Sequence, residues 1–172
     1  MSGSQGQHQA RTTARRKALQ FLFQCEVCGC DFESVLAEGL CVDEVGIPCD
    51  FTKLLIIGVG THAEKIDGLI GRTSENWSLE RMPLVDRSIL RLATFEMLYV
   101  DDVPYSVSIN EAVELAKDFG GEDESSRFVN GVLGRIADHL GEAMVEGEET
   151  DGDRKAVGRK ARSKREKKGS HG

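Results

Sequence analysis

The chain has 172 residues, the length of one ordinary domain or of one domain with unfolded ends. Apolar residues make up 40%, enough for a core, while 6% aromatic content and three prolines speak against a turn-dense β-sandwich and favour helices. A net charge of −7 would ordinarily exclude a polyanion partner, because such binding depends on basic side chains displacing counterions. Its distribution reverses that exclusion. Residues 1–17 hold Arg11, Arg15, Arg16 and Lys17 and no acid, and residues 154–168 hold nine Lys or Arg against Glu166 alone. The remaining stretches carry nine basic residues against 28 acids, so an acidic body lies between two basic ends, an asymmetry that points to a polyanion.

In chain order, residues 1–10 are mostly Gly, Ser and Gln and predict a disordered N-terminus. A first helix begins near Arg11, with Leu19, Leu22, Phe23 and Val27 as its apolar stripe, Arg15, Arg16 and Gln20 turned to solvent, and Gly29 as its stop. Phe32, Val35, Leu36 and Leu40 repeat the spacing in a shorter second helix. From Phe51 to Ile70 the pattern predicts one long third helix, apolar on more than one side and central to its subdomain, with Gly58 and Gly60 permitting a close crossing. The break at Arg72 to Trp77 separates two subdomains, about 11–74 and 76–141, and Trp77 is placed as a plug between them.

Pro83 suits the first residue of the next helix, Leu84 to Tyr99, a core element with a few polar teeth. After a turn at Asp101 to Pro104, Ile109, Ala112, Val113 and Ala116 mark a fifth helix closed by Gly120 in the left-handed conformation. Ser125 or Ser126 caps the last helix, whose stripe is Val129, Val132, Leu133, Ile136, Ala137 and Leu140. Residues 142–172, acidic and then basic, predict a disordered tail. The expectation is an all-α protein: two small helical subdomains forming one compact domain over 11–141, with disordered termini.

No apolar run approaches the ~20 residues that span a bilayer, and Met1 to Ala10 lacks the apolar centre of a signal peptide, which predicts a cytoplasmic protein without membrane contact. The five cysteines then read as reduced thiols. Cys25, Cys28 and Cys30 form a CxxCxC cluster, but no paired spacing supplies the fourth ligand of a zinc site, and no metal or cofactor is expected. His62, on an apolar stripe with no nucleophile signature nearby, reads as a hydrogen-bonded core histidine, and no catalytic residues are assigned.

One constellation points outward. Lys117, Arg127, Phe128 and Asn130 crowd the turn before the last helix, with Tyr105 at the neighbouring helix start. Cations, an amide and aromatic faces are the means by which proteins hold single-stranded RNA, whose splayed bases stack on rings. Simple capping and packing explain the same residues equally well. Glu122, Asp123 and Glu124 fit the helix dipole in either case.

The run DVPYSVSINEAVELAKDFGGEDESSRFVNGVLGRIA, Asp102 to Ala137, resembles the C-terminal signature of the NusB family of bacterial transcription antitermination factors. ARRKALQFLFQ, Ala14 to Gln24, resembles that family's first helix, and NWSLERMPLVDRSILRLATFEML, Asn76 to Leu98, its middle segment. The likeness spans roughly 11–140. It implies an all-α fold of two subdomains and a non-enzymatic role: binding the boxA element of nascent ribosomal-RNA leader transcripts jointly with the ribosomal protein NusE. It further implies joining RNA polymerase and other Nus factors to promote processive transcription of rRNA operons. By the same resemblance the RNA-facing positions are Arg11, Arg15, Phe23, Asp86, Arg91, Tyr105, Asp123, Arg127 and Phe128, with Arg16 adding charge to the first helix and Lys117 joining them from the turn described above. The arginines 11, 15 and 127 would contact phosphate, while Phe128 and Tyr105 would stack on bases.

The basic run 154–168 has no counterpart in the family pattern. Two other readings stand beside the leading one. An rRNA-methyltransferase family carries a NusB-like N-terminal domain, but requires a downstream catalytic domain that this sequence does not reach. A helical homodimer that occludes its RNA face is the other.

Overall fold

The computed structural model describes residues 3–31, 34, 49–75, 77–121 and 123–146. Among these, all regular structure is helical: α1 (Gly3–Cys28), α2 (Asp50–Thr61), α3 (Ala63–Thr73), a 3-10 turn (Leu79–Arg81), α4 (Leu84–Tyr99), α5 (Tyr105–Phe119) and α6 (Asp123–Glu146). Apart from Ser34, the helix expected at Phe32 to Leu40 lies outside the described residues, as does the basic run 154–168.

Helix α1 begins at Gly3, two turns ahead of Arg11, through residues whose composition reads as unfolded. Tertiary and local bonds support this turn: the Thr13 hydroxyl donates to Gln9 O at 3.0 Å, and His8 Nε2 lies 3.2 Å from Glu111 on α5. The helix ends as expected at Gly29 (φ 65°), where the Cys30 N–H donates back to Cys25 O at 3.1 Å. Its buried face is turned from the predicted stripe. Ala14, Arg15, Ala18, Leu19, Leu22 and Cys25 are buried, whereas Phe23 is 36% and Val27 59% exposed. The alanines let α1 approach α2 and α4 closely, and that approach carries Arg15 inward with them.

The single helix expected from Phe51 to Ile70 is two helices, broken at His62 (φ −109°, ψ 19°). Gly58, Gly60 and Thr61, all weak helix formers, precede the break. Gly58 meets the expected close crossing: a Cβ there would lie 2.0 Å from the Phe95 ring of α4. His62 is half-buried, its ring stacked on Tyr99 with centroids 4.1 Å apart, so its packing is aromatic where a hydrogen-bonded core site was expected.

The central helix is α4, which packs against α1, α2, α3, α5 and α6. Most of its length is buried on every side, including the polar Asp86, Ser88, Thr94 and Glu96. Ile89 and Leu90 have no exposed surface, and burying such a side chain contributes roughly 1.5–3 kcal/mol. One contiguous apolar cluster runs from Ala18 through Ala137.

At the α5–α6 corner three local expectations shift. Gly121 (φ 83°), not Gly120 (φ −82°), takes the left-handed conformation. Gly120 is small for a different reason, since a Cβ there would lie 2.2 Å from Ser125 Oγ and 2.6 Å from Ala116 O. Neither serine caps α6: the helix starts at Asp123, the Ser126 hydroxyl donates to Asp123 O at 2.9 Å, and the Ser125 hydroxyl donates to Asp86. Pro83 stands just before α4, one place earlier than predicted, and α6 continues past Gly141 to Glu146.

Candidate nucleic-acid interface

The first turn of α4, the end of α5, the start of α6 and Phe23 near the C-terminal end of α1 surround a cleft of about 750 Å³. Phe23 faces it from α1, Leu84 and Asp86 from α4, Phe119 from α5, and Ser125 and Phe128 from α6. Trp77, half-exposed, closes one side with its ring edge toward Phe128, centroids 6.2 Å apart at 63°. The expected buried plug is therefore a wall of an open site. Exposed aromatic faces on a rigid frame offer stacking platforms for bases, each worth about 1–3 kcal/mol.

Polar groups in the cleft are few and fixed. Asp86 is buried and accepts the Ser125 hydroxyl, a bond that the bare backbone of Gly120 leaves room for. Burial pushes the Asp86 carboxyl above the usual carboxylate range, with the Ser125 hydrogen bond acting in the opposite sense. Glu124 also lines the cleft and Asp123 is exposed beside it, both in the first turn of α6 where the helix dipole favours acids. Arg127 is exposed next to Phe128 and has no ion pair among the described residues.

The other predicted positions separate. Arg16 lies at the rim, its guanidinium 5.3 Å from the centre of the Phe119 ring and paired with Asp118. Arg11 is farther along α1, 2.7 Å from Asp102 and over the Phe51 ring. Both pairs are partly solvated and so weakly held, and a phosphate can compete for either arginine. Arg15, expected to face solvent and contact phosphate, is 3% exposed and donates to Glu96 at 2.8 and 3.1 Å. Ser108 donates to the same carboxylate at 2.6 Å. Arg15 is a core ion pair because it shares a helical face with Leu19 and Leu22, and Glu96 on α4 balances its charge.

Arg91, also expected to face RNA, is not among the residues that line the cleft and is held in ion pairs. Its guanidinium donates to Asp67 at 2.7 and 2.8 Å and to Glu26. Burial opposes its charge, yet the hydrogen bonds and charges of Asp67 and Glu26 prevail and keep it firmly protonated. Tyr105, at the start of α5, is half-buried against the core and outside the cleft lining; burial, with the Asp101 charge, raises its phenol. Lys117 is exposed on α5, 3.1 Å from Glu114.

Of the predicted residues, Phe23, Asp86 and Phe128 thus converge, with Arg16, Asp123 and Arg127 around them. Sequence reasoning missed Leu84, Phe119 and Ser125 as cleft residues. Phe119 stands three places after Ala116 and Leu84 directly after Pro83, so both read as ordinary packing positions. The CxxCxC cluster divides between core and solvent, with Cys25 buried and Cys28 and Cys30 exposed. Cys49, just before α2, has its thiol lowered by the Thr52 hydroxyl. Among the described residues no helix is long and apolar enough to cross a membrane.

The arrangement agrees with known proteins. The sequence is 45% identical over 130 residues to the transcription antitermination protein NusB of Bacillus cereus (strain B4264), covering 76% of this chain and 98% of the relative. It is 47% identical over 130 residues to the protein of that name from Bacillus licheniformis, with the same coverage. The fold superimposes on a structure of T. maritima NusB with a TM-score of 0.65 and 41% identity, covering 74% of this chain and 90% of that one. It also matches a crystal structure of the antitermination factors NusB and NusE in complex with double-stranded RNA, with a TM-score of 0.62, 25% identity and coverages of 76% and 98%. The family pattern itself matches residues 12–138, which take in Arg15 and Arg16 of α1, all of α4 and α5 and the aromatic cleft, and the chain belongs to the NusB family.

Proposed function

We propose that this protein is a cytoplasmic transcription antitermination factor that binds the boxA element of nascent rRNA leader transcripts jointly with NusE. With RNA polymerase and other Nus factors it promotes processive transcription of rRNA operons. The observation that carries this reading is the aromatic cleft of Phe23, Trp77, Phe119 and Phe128 beside Arg127, which has no ion pair among the described residues, in a chain of the NusB family. The rings supply stacking surface, Asp86 and Ser125 supply fixed hydrogen-bonding groups for base edges, and Arg16 and Arg127 stand where a strand's phosphates would pass. The action is binding, with no bond made or broken. Glu114 and Asp118, exposed on α5, and Asp101 and Asp102 before it offer an acidic surface for a basic ribosomal protein.

An anisotropy titration with boxA RNA and a scrambled RNA of equal length, with and without NusE, tests this. We expect preference for boxA and tighter binding when NusE is present. Equal weak binding to both RNAs under both conditions refutes the reading. Within it, Phe128→Ala weakens boxA binding by roughly 1–3 kcal/mol, the range for one base–aromatic stack; wild-type affinity in that variant refutes the stacking role.

A further inference from the structure

Between α3 and α4, residues 77–82 form a strap along one side of the cleft, and it is fastened at both ends and in the middle. At its start the buried Ser74 donates its hydroxyl to Trp77 O at 2.9 Å and accepts the Trp77 N–H at 3.3 Å. At its end Met82 is buried and its N–H donates to Leu79 O at 3.3 Å. The middle tie comes from outside the strap. Arg87 Nη1 donates to Leu79 O at 3.0 Å, while its Nε and Nη2 donate to Glu26 of α1.

This fixed segment presents a ring and a cation to solvent. Trp77 is half-exposed and lines the cleft, its edge toward Phe128, so that the two rings form an open corner. Arg81, the last residue of the 3-10 turn, is exposed and has no ion pair among the described residues. Its neighbour Glu80 has partners within the turn: its own backbone N–H and the Ser78 hydroxyl hold its carboxyl below the usual range. Ser78 is extended and the turn that follows rises 2.0 Å per residue, which puts the Trp77 and Arg81 Cα atoms within about 10 Å of each other. A ring and a free guanidinium at that spacing fit a base and an adjoining phosphate of one strand.

We propose that the strap is an RNA-contacting element in its own right: Trp77 stacks on a base in the cleft, Arg81 takes an adjoining phosphate, and Arg87 is the positioning residue that holds both through Leu79 O. This rests on the RNA reading of the cleft and adds to it a second wall, ordered before RNA arrives. A ring already held in place loses little freedom when a base stacks on it, which is the gain from preorganisation.

Trp77 is the single tryptophan of the chain, so the intrinsic fluorescence of the full-length protein reports on this wall alone. The test titrates that protein with boxA and scrambled RNA, reading Trp77 emission and the anisotropy of labelled RNA in parallel. boxA RNA is expected to quench Trp77 with the same midpoint as the anisotropy. Trp77→Ala should weaken boxA binding roughly five- to 150-fold, the loss of one stack, and Trp77→Phe, which keeps a ring, should recover most of it. Arg81→Gln should flatten the plot of log affinity against log salt by about 0.7, one single-strand phosphate. Arg87→Lys keeps a charge for Glu26 but lacks the planar fork that also reaches Leu79 O, so it should lower the fluorescence anisotropy of Trp77 in the free protein and weaken boxA binding. Arg91→Lys alters the same Glu26 network without touching the strap, and should leave Trp77 anisotropy as in wild type. Constant Trp77 emission while the RNA anisotropy saturates, or wild-type affinity in Trp77→Ala, overturns the proposal and leaves the RNA reading of the cleft standing. Emission that shifts with protein concentration in the absence of RNA overturns it as well, because a second copy then covers the ring. If neither RNA binds the wild-type chain, the RNA reading fails and the proposal falls with it.

Discussion

Arg15 and Phe128 show how far residue identity alone can mislead about a site. Arg15 has the chemistry of a phosphate ligand and is buried against Glu96, while Phe128 has the chemistry of a core residue and lines an open cleft. Removing Arg15 takes the two guanidinium hydrogen bonds from the buried Glu96 carboxylate, so Arg15→Ala should cost about 3–5 kcal/mol of stability by chemical denaturation. The fraction that remains folded should bind RNA with the wild-type salt slope. A slope reduced by a full phosphate contact would return Arg15 to the interface. Asp86 gives a second residue-scale expectation. Its carboxyl titrates above the unfolded value, so the folded chain keeps a proton that the unfolded chain has released. The associated stability is present below the unfolded pKa and is lost as pH rises through the folded one. Asp86→Asn, which retains a partner for Ser125, should therefore melt higher than wild type near pH 7, with the gap closing toward about pH 4. An equal gap at both pH values would show that the carboxyl is not the cause.

At the scale of elements, periodicity located α4, α5 and α6 to within a few residues because each has one consistent apolar face. It failed where helices are defined by their neighbours. The pattern from Phe51 to Ile70 is continuous in hydrophobicity, yet the chain breaks at His62, whose ring is carried onto Tyr99. The α1 stripe was misplaced because two alanines and an ion-paired arginine outweigh Phe23 and Val27 in deciding which side faces inward. Gly58 is the element-scale contact that can be tested. Gly58→Ala places a methyl group into the Phe95 ring and should destabilise by roughly 1–3 kcal/mol, despite alanine's better helix propensity. Combining it with Phe95→Leu should recover part of the loss. A stabilised Gly58→Ala would show that the α2–α4 crossing gives way easily.

At the scale of the molecule, one polar network ties the first half of the chain to the second. Glu26 of α1 accepts from both Arg87 and Arg91 of α4, Arg91 also holds Asp67 of α3, and Arg87 donates to Leu79 O at 3.0 Å. Glu26→Ala leaves two partly buried guanidiniums short of a partner and should cost roughly 3 kcal/mol, the lower end for a broken buried pair. A shift in urea midpoint worth less than about 0.5 kcal/mol, the scale of an ordinary surface substitution, would mean that the network is solvated.

What the sequence by itself determined was the helical class and the family, and it named Phe23, Asp86 and Phe128, which the fold brings to one cleft. Helical periodicity and a long matching signature are properties of neighbouring residues. Tertiary structure alone decided which arginines are available, because availability depends on carboxylates that lie 81 to 102 positions away along the chain. It also decided that Trp77, Leu84 and Phe119 join the cleft, since their exposure follows from how α1, α4, α5 and α6 meet and leaves no local trace in composition or spacing.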